Sequence, residues 1–139
     1  MNNENKWKKF SIMLRRKIVT ATLSSLLFAL IFSLHGGFEG DGFYILYYLN
    51  FMFAITYGVI TSFISDWISR QLSEKNNIRE IISFLFHCGS GVVFLIFGLC
   101  SAVIFFIVDR LLKKVKIGWL SVVIVLLMVV IAFIILINR

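Results

Sequence analysis

Residues 81–108 read IISFLFHCGSGVVFLIFGLCSAVIFFIV, and whether this run forms one helix or two decides the fold. As one α-helix its 28 residues would extend about 42 Å, against a hydrocarbon core of about 30 Å. A single span must therefore tilt, protrude, or break near His87-Cys88-Gly89-Ser90-Gly91. Broken there, each half would hold only about 14 residues, short for a crossing. The run is accordingly expected to cross once, with a re-entrant hairpin as the alternative.

Three more apolar runs flank it, at about 18–34, 43–68 and 119–138, each long enough to span as a helix. Hydrophobic residues make up 60% of the 139-residue chain and charged residues 15%. Soluble domains run near 45–50% and about 25% respectively, so a soluble fold could not hide this much apolar surface. The alternation of outer-membrane strands is missing, and with no proline the helices are expected to be mostly unbroken. The sequence thus predicts an all-α polytopic membrane protein, a bundle of four transmembrane helices spanning 18–139 behind a basic cytoplasmic tail at 1–17. The run at 18–34 reads as a retained signal-anchor, because no small-x-small cleavage site precedes the turn at His35-Gly36-Gly37.

The net charge of +7 sits in short blocks between apolar runs. That distribution fixes orientation on a membrane and excludes a nucleic-acid partner. With four spans both termini share a side. Placing that side in the cytoplasm puts ten Lys and Arg inside and four outside. The four outside residues, Arg110, Lys113, Lys114 and Lys116, break the positive-inside rule and mark the weak point of a four-span layout. A re-entrant run 81–108 would remove the conflict and leave an odd number of spans.

Small residues recur at four-residue spacing, which lines one helix face and lets a neighbouring backbone approach. The first run carries Ala21, Ser25, Ala29 and Ser33. The second carries Ala54, Gly58 and Ser62 between the polar ends Asn50 and Asp66. Gly91 follows His87 on one face of the third. Ionisable groups at membrane depth are candidate functional positions, so Asn50, Asp66 and His87 outline a candidate polar path between helices two and three. Asp66 also has Arg70 one turn on as a candidate partner. The two cysteines, Cys88 and Cys100, are too far apart on one helix for a disulfide, and no zinc or thiol-redox spacing exists. No catalytic, cofactor or metal constellation is present.

The length, the four-run layout and the segment Tyr57-Gly58-Val59-Ile60-Thr61-Ser62-Phe63-Ile64-Ser65-Asp66 resemble a family of uncharacterised small membrane proteins from Bacillus-type bacteria. The resemblance implies four spans and bacterial plasma-membrane residence, and no activity. Size also invites comparison with small four-helix multidrug exporters. Their hallmark is an acid within the first helix, and residues 18–34 contain none. The function expected from sequence is therefore non-enzymatic. It is action through helix packing, with a second copy of the chain or a membrane-protein partner in the lipid bilayer. A small transporter or channel is the alternative.

Overall fold

A computed structural model describes residues 3–36 and 40–138. Among these there is no strand, and five helices carry almost the whole chain: α1 (Asn3–His35), α2 (Gly40–Leu72), α3 (Asn76–Val92), α4 (Leu95–Leu112) and α5 (Trp119–Ile137). A π-helical turn over Ala54–Gly58 interrupts α2 without breaking it. Three of the helices, α1, α2 and α4, are long and apolar enough to cross a membrane, and α5 offers a shorter apolar stretch at Trp119–Ile135.

The run at 81–108 is not one helix. It turns at Val93-Phe94 and returns, so that α3 and α4 lie antiparallel. Phe84 meets Phe106 edge-on at 5.0 Å, His87 lies 5.2 Å from Phe105, and Arg110 reaches Ser83 at 2.8 Å. The break is also two residues later than the Gly-Ser-Gly segment that the sequence marked. Gly91 remains helical because its task is a close approach. A Cβ there would stand 2.7 Å from the carbonyl oxygen of Gly98 and from the Cβ of Ala102. The reversal falls instead on Leu95, which adopts φ 61°, a left-handed conformation costing a non-glycine residue about 1–2 kcal/mol.

The basic tail is helical, with α1 running unbroken from Asn3 through residue 17 into the bundle. Each of α2, α3 and α4 packs antiparallel to the helix before it, whereas α5 packs on α1 and runs parallel to it, with Arg15 over the Trp119 ring at 5.5 Å and Val129 clustered with Ala29. Five alternating helices place the start of α1 and the end of α5 at opposite ends. Arg139 and Gly37, Phe38 and Glu39 of the first turn lie outside the described residues.

The helices differ in what they bury. On α1, Ala21, Ser24, Ser25 and Ala29 are fully enclosed. The hydroxyls cost little there, since Thr20, Thr22, Ser24 and Ser25 each donate to a backbone carbonyl three or four residues earlier. On α5 only Val122 and Val129 are buried, Val125, Leu126 and Ala132 are half-buried, and most of its other described apolar side chains are exposed.

Candidate functional site

The small-residue stripes meet inside the chain. Ala21 of α1 packs with Ala54, Val59 and Phe105, and Ala29 packs with Tyr47 and Phe51. Ser33, Ser62 and Asp66 are buried as well. Asn50 donates its amide to Ser25 at 3.2 Å, linking the two stripes directly. Both faces are therefore occupied within one copy of the chain.

Where α1, α2, α3 and α4 converge at one end of the bundle, they enclose a set of charges. Lys17 is completely buried. Its ammonium donates to Ser62, to Asp66 at 2.9 Å and to Asp109 at 3.3 Å. Three acceptors for three protons is the full capacity of a lysine. Asp109, 1% exposed, also pairs with Arg16 at 2.8 Å. Asp66 accepts from Arg110 at 3.0 Å and from Ser83 at 2.8 Å. Glu80 closes the outer edge against Arg110 and Lys113. Burying a lone charge costs several kcal/mol, and such a cluster persists only because opposite charges and hydroxyls compensate one another. Asp66 does not use Arg70, whose guanidinium reaches only the Met13 sulfur at 3.9 Å.

Farther along the bundle lies a cavity of about 260 Å³. Its wall is largely aromatic, with Phe28, Phe97 and Phe105, while Asn50, Thr61 and His87 supply polar atoms. The π turn of α2 contributes the small side of the wall through Ala54 and Gly58. His87 is 2% exposed, and neither ring nitrogen has a hydrogen-bond partner. A neutral imidazole can donate from one nitrogen and accept at the other, and because both nitrogens are covered by their neighbours, a ligand in the cavity would reach them through a rotation of the ring. A second hollow of about 420 Å³ lies between α2 and α3 and shares Thr61 and Ser90 with the cavity wall.

The candidate path of Asn50, Asp66 and His87 is thus divided. Asn50 and His87 line the cavity, while Asp66 belongs to the charge cluster. Gly91 lines the cavity too and holds α3 against α4. Sequence reasoning missed Lys17, Asp109, Arg16 and Arg110. Each stands at the edge of an apolar run, where a charge reads as solvated, and their partners are 92 or 93 positions away in three of these contacts. The available signal was the paired placement of Lys17 and Asp109 at the boundaries of runs one and three. Among the described residues no three His, Cys, Asp or Glu side chains gather as a metal site. Comparison of the chain with known families, curated proteins and solved structures returns no match.

Proposed function

We propose that this chain is a multi-pass membrane protein that binds a small, largely apolar molecule bearing one hydrogen-bonding group, as the substrate site of a small transporter. The observation that carries the reading is the cavity beside His87, a buried imidazole with two free ring nitrogens. A buried polar group left without a partner costs about 1–3 kcal/mol, and a ligand that satisfies it recovers that loss. The hollow between α2 and α3 supports a lateral route from lipid to cavity at Thr61 and Ser90. The packing reading loses its main motive, because the stripes that suggested a partner are covered within the chain.

The charged end is read as the cytoplasmic one, on the positive-inside rule. With α3 and α4 as a hairpin, every Lys and Arg among the described residues falls at or beyond that end, which removes the positive-inside conflict. On this reading α1 and α2 cross, α3 and α4 enter from the cytoplasmic side and return to it, and α5 carries the chain outward, with the amino-terminal start of α1 inside. Plasma-membrane residence rests on the resemblance carried by Tyr57–Asp66.

The test uses the full chain in detergent, dialysed against 1-naphthol and against naphthalene, with empty micelles as background. The hydroxyl should strengthen binding by roughly tenfold, the worth of one well-made hydrogen bond in a dry site. His87→Leu should erase that preference while naphthalene binding persists. Equal binding of the two probes to the wild type, or a preference that survives in His87→Leu, would rule out the reading.

A further inference from the structure

We infer that the cytoplasmic end of the bundle carries a binding site for a phosphoryl anion, separate from the cavity and independent of its role. A crevice of about 50 Å³ opens there, lined by Arg16, Arg70, Arg79, Arg110 and Lys113 on the basic side and by Asp66 and Glu80 on the acidic side. A water needs roughly 10–15 Å³ of such space, so the crevice has room for a tetrahedral oxyanion. Five cations face two carboxylates, and both carboxylates are already engaged. Asp66 is taken by Lys17 and Arg110, and Glu80 by Arg110 and Lys113.

Two guanidiniums remain. Among the described residues no carboxylate pairs with Arg70 or Arg79. Arg70 touches only the Met13 sulfur, and Arg79 donates to the side-chain oxygen of Asn76 at 2.9 Å. They come from α2 and α3 on either side of the Ser73–Lys75 connection and line one crevice together with Ser69. A planar guanidinium presents a fork of donors that matches two oxygens of a phosphate. Basic clefts between helices on the cytoplasmic side are also where anionic headgroups are held. A cation site is the wrong sign for this surplus, and a solvated basic face would not need a shared crevice.

A lipid headgroup and a free phosphate ester share this chemistry, and the experiment separates them. The full chain is reconstituted in phosphatidylcholine nanodiscs with or without phosphatidic acid. In parallel it is titrated in detergent with inorganic phosphate against chloride at equal ionic strength. Thermal stability is followed in both arms. At least one phosphate source should raise it. Arg70→Gln with Arg79→Gln should weaken the apparent affinity by roughly tenfold or more, the loss of charge-assisted hydrogen bonds. Arg70→Lys with Arg79→Lys should fall between. Lys8→Gln with Lys9→Gln, on the exposed start of α1, should leave it unchanged. A shift with phosphatidic acid alone assigns a lipid headgroup, and a shift with inorganic phosphate assigns a free oxyanion. No shift in either arm, or an equal loss in the Lys8/Lys9 control, overturns the site.

Discussion

At the charged end of the bundle, Lys17 has three acceptors for its three protons, while in the cavity His87 has no partner for either nitrogen. Both side chains are buried, Lys17 fully and His87 to 2% exposure. Around Lys17 the first region is complete, because all three ammonium protons find acceptors on α2 and α4. The second is roomy and largely apolar, with an unpartnered imidazole in its wall. Within one small bundle, buried polarity serves as structure where it is satisfied and as a place for a ligand where it is not.

The largest effect expected is all-or-none and tests whether the two regions lie at the depths described. In a background of Cys88→Ser and Cys100→Ser, single cysteines at Glu74 and Val115 should label from the same side of the membrane, and one at Asp41 from the other. Labelling of positions 74 and 115 from opposite sides would restore a single span for 81–108 and dissolve the charge cluster.

Next in size is Lys17→Met, which keeps the shape of the stem and strands Asp66 and Asp109 with less countercharge. It should destabilise the protein in detergent by about 3–5 kcal/mol, the cost of breaking a buried ion pair from one side. Adding Asp109→Asn should recover part of the loss. Wild-type melting of Lys17→Met would mean that the end is hydrated and resembles an ordinary surface.

The wall between the regions should respond to methyl groups unequally. Gly91→Ala drives a Cβ to 2.7 Å from the backbone oxygen of Gly98, and overpacking of this kind costs about 1–3 kcal/mol. Gly58→Ala meets the Phe105 ring at an ordinary 3.6 Å and should change stability by less than about 0.5 kcal/mol. Thermal melts that rank these two in reverse would discredit the close α3–α4 crossing.

The smallest effect has the opposite sign from Lys17. His87→Leu replaces an unpartnered polar ring by an apolar group, so stability should hold or rise by about 1 kcal/mol. A clear drop in melting temperature would show that the imidazole is already satisfied in the membrane and that the cavity is structural.

Much of the bundle was legible in the chain. The apolar runs lie within α1, α2 and α5, and the four-residue stripes from Ala21 to Ser33 and from Asn50 to Asp66 face inward. The Gly-Ser-Gly segment was misread. Glycine there permits a close crossing, and the turn itself has neither glycine nor proline to announce it, since its reversal rests on Leu95.

The sequence by itself determined that this chain is helical and apolar with its basic residues in blocks, because helix periodicity, hydropathy and charge blocks are properties of neighbours along the chain. Only the tertiary structure decided that run three folds back on itself, that Lys17 leaves the tail for the core, and that His87 is buried without a hydrogen-bond partner. Those outcomes depend on which distant side chains meet. Lys17 finds Asp109 only after α4 has returned to the end where α1 enters the bundle, and no local pattern records that meeting.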